Sequence, residues 1–427
     1  MRFDSLHPAD QLVVTMNRIY SAGLTTASSG NLSIKDTEGD LWITPEGVDK
    51  GTLSAQDMVR ITPDKTAHGH RQPSSGLSFH EAIYASKPQI QAILHAHSPA
   101  LTVYAIIHEL PTLNMIPNLA LQCTPVRLIP YGSCNDENRA QLLAESFRRD
   151  YRAVIIENHG VYVAAESMTK AYRIFETLEN GAAVELMARR FGTPAVLTDT
   201  QINVARTIAH TRLSEYKPRS HSSEEKGLRR DMTRMIQRAV KQGIFGATHG
   251  TLSSKLTDGS FLITPFGMDR FEIDVDDLVL MRRSMKESGK IPSRAVFLHE
   301  VIYHKNPDIQ TIISTQPPHL SALSVTRTPL DMTSLPECHG LMSPMPLIPY
   351  GQNYDQPHQT AAQFSKDIFM IMLENDGVIV TGQSLGEAYD RLEGAESIAR
   401  AILNLPKPAQ PVRPIDETSF ASNGDRL

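Results

Sequence analysis

The chain is predicted to be an α/β protein in which one sandwich, helices packed on a largely antiparallel central sheet, is present twice. Three observations carry this. Short apolar strands alternate with amphipathic helices along 427 residues, a length that exceeds a typical single domain. Hairpin signals link neighbouring strands, which favours antiparallel pairing. The chain also repeats itself. The run LWITPEGVDK from Leu41 returns as FLITPFGMDR from Phe261, 220 residues on, the offset that also relates Gly30 to Gly250. HEAIY at His80 returns as HEVIY at His299 and IPYG at Ile129 as IPYG at Ile348, both 219 residues on. ENHG around His159 returns as ENDG around Asp376, 217 residues on. Offsets this constant over more than 120 residues mark a tandem duplication of a whole domain, not a solenoid of short repeats.

The elements of the first copy follow in order. Pro8 to Gly23 carries Leu12, Val13, Met16, Ile19 and Tyr20 at helical spacing, with Pro near its start and Gly at its end. Residues 31–35 and 41–44 alternate around Glu38-Gly39-Asp40 and predict a hairpin. Ser78 to Lys87 reads as a helix stopped by Pro88, and Ile90 to His97 as an apolar strand. A helix over 135–150, strands over 153–157 and 161–164, and a long helix over 168–190 complete the copy. The domains are expected at 1–215 and 228–403. Between them Tyr216 to Gly227 is polar and lacks helical or strand periodicity, and the proline-rich residues 404–427 are expected to form a flexible tail.

Composition excludes several classes. A net charge of −5, and no basic block interleaved with aromatics, argue against a nucleic-acid partner. No apolar run reaches the roughly 20 residues needed to span a membrane, and the N-terminus does not read as a signal peptide. Three scattered cysteines suit neither a disulfide framework nor a cysteine metal site. A cytoplasmic protein is expected.

The residues that carry chemistry lie in the first copy. His95 and His97 stand two apart on a predicted strand and so project from one face. His159 sits in a tight Asn158-His159-Gly160 turn between two apolar strands, at the end of the sheet. Three neutral imidazoles with an open position suit a divalent metal, zinc foremost. The second copy has Ser314, Gln316 and Asp376 at these places while keeping the flanking apolar pattern, so the fold itself does not need histidine there. His68 and His70 share the spacing but lie in a polar stretch and are read as exposed loop residues.

The ordered motifs SGNLS, ITPEG, PSSG with a following His80, HAHSP and NHG resemble the class II aldolase/adducin family across both copies. The resemblance implies a three-layer α/β sandwich and a small-molecule substrate whose oxygens are held by a divalent ion on His95, His97 and His159. It also implies a phosphate site at Gly30, Asn31, Gly47, Ser74 and Ser75. A four-fold assembly with sites at subunit interfaces is implied too, which here becomes a homo-oligomer of two tandem chains. Two positions depart from the family. Gly76 stands where its aldolases carry a general acid/base glutamate, and Glu46 where a hydroxyl is usual, placing a carboxylate by the phosphate loop. Candidate replacements for the base are Glu81, Glu157 and Tyr131, each of which recurs in the second copy. The expected activity is a carbon–carbon lyase, by aldol cleavage or decarboxylation of a small hydroxy-keto sugar or sugar acid. The alternatives are a sugar-phosphate epimerase and an adducin-like binding protein.

Overall fold

The computed structural model describes residues 2–131, 136–207, 213–247, 249–330 and 345–405. Its contacts divide the chain into two units, Met1–Leu186 and Met187–Leu427. Residues 406–427 of the expected tail and Gly132 of the first IPYG motif lie outside the described residues.

In the first unit the strands are β1 (Asn31–Lys35), β2 (Leu41–Ile43), β3 (Val59–Ile61), β4 (Ala67–His68), β5 (Ala92–Ala96), β6 (Val126–Ile129), β7 (Ala153–Ile156) and β8 (Gly160–Ala165). They form one sheet in the order β4-β3-β2-β1-β5-β8-β7-β6, antiparallel throughout except for the parallel pair β6 and β7. The helices are α1 (Pro8–Ser21), α2 (Leu77–Ser86), α3 (Pro99–Ile107), α4 (Pro117–Cys123), α5 (Asp136–Arg148) and α6 (Met168–Ala188). The period-2 alternation of the strands decides what each face buries. Ile43, Val59, Ile93, Val154 and Ile156 pack with Ile83 and Tyr84 of α2 and Leu143 and Phe147 of α5. Leu32, Leu94, Val161 and Val163 have the opposite parity and are equally buried, on the face whose strands meet α1 and α3. The expected three-layer arrangement is therefore present.

The second unit repeats this. Its strands β9 (Glu215–Tyr216), β10 (Thr251–Lys255), β11 (Phe261–Ile263), β12 (Val279–Arg282), β13 (Met285–Glu287), β14 (Thr311–Thr315), β15 (Leu347–Ile348), β16 (Met370–Leu373) and β17 (Gly377–Gly382) run in the order β15-β16-β17-β14-β10-β11-β12-β13-β9. Its helices are α7 (Asp199–Thr207), α8 (Ser223–Lys241), α9 (Val296–Lys305), α10 (Pro318–Thr326), α11 (Gln352–Asp355), α12 (Pro357–Ala361) and α13 (Leu385–Leu403).

Two expectations shift at the seam. Residues from 187 onward group with the second unit, whose edge strand β9 joins Glu215, the last residue assigned by sequence to the first copy, to Tyr216 of the polar stretch. The polar stretch 216–227 contains the start of a helix: the Ser222 side chain caps α8 by accepting from the Glu225 N–H, and buried Arg229 pairs with Glu225 and Glu287. Polar residues conceal this helix because its inward face is held by a buried ion pair. His68 also differs from expectation, since it belongs to a two-residue edge strand, although it is exposed.

The loop after β5 is held by one carboxylate. Glu179 of α6, only 3% exposed, accepts from the Ser98 hydroxyl at 2.7 Å, the Ala100 N–H at 2.8 Å and the Leu101 N–H at 2.9 Å, capping α3. Glu396 does the same for α10 through the N–H groups of His319 and Leu320. Removing Glu179 leaves three buried donors without their acceptor. Glu179→Ala is expected to destabilise the first unit by on the order of 3 kcal/mol. Urea denaturation followed by fluorescence of Trp42, the chain's single tryptophan, reports that unit; an unchanged midpoint would contradict the assignment.

Candidate metal centre

β5 lies between β1 and β8, and its register sets the site. His95 stands opposite Asn31 on one side and Tyr162 on the other. The Nδ1–H of His95 donates to the Val161 carbonyl at 3.0 Å, which leaves the Nε2 lone pair free. That nitrogen is 3.1 Å from Nε2 of His97, and one ring nitrogen from each of His95, His97 and His159 falls within a 4.8 Å cluster. Tetrahedral coordination with bonds of about 2.0–2.1 Å would place ligand nitrogens roughly 3.3 Å apart, so small adjustments suffice to hold one ion. Tyr162 stacks on His95 with ring centroids 4.1 Å apart and fixes the plane of its imidazole.

The turn bearing His159 is equally constrained. Asn158 takes a positive φ of 53° and its N–H donates to the Ala105 carbonyl. A Cβ at Gly160 would approach the Ala96 carbonyl to 2.5 Å and the His97 ring to 2.6 Å, so only glycine allows the turn to close on β5. Burial holds the imidazoles neutral. His95 is pushed well below the ordinary histidine range by desolvation and by its histidine neighbours. Desolvation also lowers His97, and lowers His159 to about 4.

Behind the triad runs a hydrogen-bonded chain. An amide oxygen only accepts, so Nε2–H of buried His80 donates to Asn31 Oδ1 at 2.6 Å; Nδ1 then accepts from Ser33 Oγ, which meets Tyr84 Oη at 2.9 Å. Asn31 is thereby oriented with its amide nitrogen toward Gly76, where an added Cβ would stand 2.9 Å from Nδ2. The space that a side chain at 76 would need is taken by the Asn31 amide.

The remaining candidates sort as follows. Gly30 has φ +76°, and a Cβ there would come within 2.9 Å of the His95 carbonyl. The loops bearing Glu46-Gly47 and Ser74-Ser75 are joined by a Pro45–Pro73 bridge, with the Glu46 N–H donating to Gln72 and the Ser74 N–H to Thr44. Ser74 is buried and Ser75 exposed. Glu46 is exposed, and its charge faces that of Lys50, whose buried ammonium donates to the Pro45 carbonyl at 2.9 Å. Of the acid/base candidates, Tyr131 lies by the triad, its ring 5.8 Å from that of His159 and under the Arg139 guanidinium. Glu81 faces Lys65 at 4.0 Å and Glu157 faces His108 at 4.0 Å. Sequence reasoning missed Tyr162, Glu179 and Arg139. Only Tyr162 had a signal, the alternation of β8 beside the strand bearing His95 and His97.

In the second unit the place of the histidine cluster is taken by side chains that bond to one another and to their neighbours. Gln316 Nε2 donates to Asp376 Oδ1 at 2.8 Å and Tyr354 Oη to Oδ2 at 2.5 Å, while Ser314 Oγ meets His299 Nε2 at 2.8 Å. Burial raises Asp376 above the usual carboxylate range.

An α/β sandwich with three imidazoles converging at the end of a central strand is an arrangement able to hold a divalent ion. The chain belongs to the class II aldolase and adducin N-terminal domain family, whose model matches residues 10–186 and 230–403. It is similar to 3-oxo-tetronate 4-phosphate decarboxylase of Escherichia coli O6:H1, with 32% identity over 40% of this chain and 83% of that protein. It is also similar to 5-deoxy-D-ribulose 1-phosphate aldolase of Bacillus thuringiensis serovar kurstaki, with 30% identity over 45% of this chain and 91% of that protein. Among solved structures it matches an L-fuculose 1-phosphate aldolase at 29% identity and TM-score 0.41, covering 46% of this chain and 93% of that one. Among the described residues no helix is long and apolar enough to cross a membrane.

The histidine environment predicts a pH response. In the first unit His80, His95, His97 and His159 all titrate below the ordinary value of 6.5, whereas the buried carboxyl of Glu179 is shifted upward by desolvation and works in the opposite sense. Unfolded histidines take up protons as pH falls through 6.5, and the folded ones do so only lower. Stability of the metal-free protein is therefore full above pH 6.5 and lost progressively as pH falls toward 4. The Trp42-monitored urea midpoint should be lower at pH 5 than at pH 7.5; a flat or rising midpoint would contradict the histidine assignment.

Proposed function

We propose that the chain is a metal-dependent carbon–carbon lyase that acts through its first copy on a small phosphorylated keto sugar or keto sugar acid. Decarboxylation of a 3-oxo sugar acid is the preferred reaction. The observation that carries this reading is the convergence of His95, His97 and His159, with Gly76 set against the amide of Asn31, the residue paired with His95, and so without a carboxylate at that position. Such a set suits Zn²⁺ and leaves a coordination position for substrate. When bound, the ion acts as a Lewis acid toward the substrate's ketone oxygen.

The chain's residues supply the rest. In decarboxylation the bond between the carboxylate carbon and its neighbour breaks, CO₂ leaves, and the electron pair moves toward the ketone oxygen. No carbon-bound proton has to be removed, so Gly76 costs this reaction little. One proton must return to the carbon, and Tyr131 beside His159 is the proposed donor. Gly30, Asn31, Gly47, Ser74 and Ser75 hold the phosphate, with Lys50 offsetting Glu46. Aldol cleavage is the second reading, favoured by the similarity to an aldolase, and is told apart by release of an aldehyde in place of CO₂.

Purified protein should hold one zinc per chain by elemental analysis and release CO₂ from a 3-oxo-tetronate 4-phosphate. His95→Ala with His97→Ala should remove the metal and lower kcat by roughly 10³-fold or more. Tyr131→Phe should keep the metal and lower kcat by about 10²–10⁴-fold. Two ions per chain, or turnover surviving loss of both histidines, would reject the reading. We further propose that two tandem chains assemble into a four-domain particle; light scattering should give a dimer, and a stable monomer would refute this.

A further inference from the structure

The two units carry the same paired loops, but the exposed rim residues differ in kind. In the first unit Glu46, Gln72, Ser75 and Ser78 are all exposed and all polar. Their counterparts in the second unit are Phe266, Ile291, Arg294 and Phe297. Phe266 is 42% exposed, Ile291 51% and Phe297 51%. These residues are contiguous. The Phe266 N–H donates to the Ile291 carbonyl, a Pro265–Pro292 bridge joins the loops, and the Arg294 guanidinium lies over the Phe266 ring at 5.6 Å. Phe297 lies in the first turn of α9, three residues beyond Arg294, which stands just before the Ala295 N-cap.

Arg294 is unusual where it stands. It immediately precedes the N-terminal end of α9, where the helix dipole disfavours a cation, and the first unit has uncharged Ser75 there. One guanidinium nitrogen donates to the Ala205 carbonyl at 2.8 Å, which fixes the head, and its positive field reaches Asp376 and Tyr350. Beneath the rim Thr251 and Ser293 form a buried hydroxyl pair at 2.7 Å. The rim has thus exchanged an uncharged serine for a cation, and an acid, an amide and a second serine for large apolar side chains, while its floor has exchanged three imidazoles for a layer that holds a closed Gln316–Asp376–Tyr354 cluster.

We infer that the second unit is a non-catalytic binding site for a small anion with a flat apolar body, its acidic head on Arg294 and its body against Phe266 and Phe297. A planar guanidinium suits a carboxylate or phosphate through paired hydrogen bonds, and an aromatic face beside it rewards an aryl group over a bare ion. The site is independent of the lyase reaction, because it contains none of the groups that reaction uses.

The test is calorimetric titration of the full chain with phenyl phosphate, benzoate and inorganic phosphate. Phenyl phosphate is expected to bind saturably, at least tenfold more tightly than inorganic phosphate, and benzoate shows whether a carboxylate head serves as well. Binding should persist in His95→Ala with His97→Ala, which removes two of the first unit's three clustered imidazoles, and Arg294→Gln tells the second unit's site from the first unit's phosphate loop. Arg294→Gln and, separately, Phe266→Glu, which installs the first unit's residue, should each weaken it at least tenfold. Both replaced side chains are partly exposed, and an unchanged melting curve verifies folding. Absence of saturable binding, or binding abolished by the histidine changes and untouched by Arg294→Gln, would overturn the proposal. So would a shift of the protein to smaller particles in Phe266→Glu without any phenyl phosphate affinity in the parent, which would make the rim a surface between chains.

Discussion

The antiparallel register of β5 between β1 and β8 is the constraint on which the first unit's site depends. It places His95 opposite Asn31 and Tyr162 and brings the β7–β8 turn beside His97. From that register follow the Val161 carbonyl that fixes the His95 tautomer, the Tyr162 ring that fixes its plane, and the Gly160 approach that presents His159. A slip of one residue would turn His95 and His97 to the face where Leu94 and Ala96 are now buried. Because both faces of the sheet are packed, that slip is strongly disfavoured, and the rigidity of the core becomes the preorganisation of the site.

The second unit shows which of these features belong to the fold and which to the chemistry. Thr251 and Ile379 flank Ser314 in the same register, and Ser253, His299 and Tyr303 reproduce the Ser33–His80–Tyr84 chain. The chain of hydroxyls and imidazole is therefore part of the sandwich itself. What changes is the layer in front of it. Three nitrogen donors become a serine, an amide and a carboxylate, and the last two satisfy one another and Tyr354. A buried carboxylate in the place of His159 is tolerable only with such partners, which accounts for the simultaneous presence of Gln316 and Tyr354.

Much of this was legible in the sequence, for identifiable reasons. The constant offsets between copies gave the duplication, and period-2 spacing correctly placed His95 and His97 on one face. The helix ends at Pro8, Ser86 and Ala188 fall within two residues of their expected positions because proline and polar breakers mark them. The start of α8 was hidden, since its buried face is an Arg229–Glu225–Glu287 network and carries no apolar signal there. The role of Glu179 was equally hidden, because a carboxylate 82 residues beyond His97 has no local pattern linking it to the loop it caps. Glu81 and Glu157 were plausible by residue type, yet side-chain direction turns them toward Lys65 and His108, which sequence spacing does not reveal.

The proposed lyase requires one ion on the three imidazoles of the first copy and none in the second. Crystals soaked in a zinc salt, measured on both sides of the zinc absorption edge, address it directly. The account predicts a single strong anomalous peak per chain, about 2.0–2.1 Å from Nε2 of His95, Nε2 of His97 and a ring nitrogen of His159. A peak at His68 and His70, a peak at Asp376, or no peak within bonding distance of His95 would contradict it.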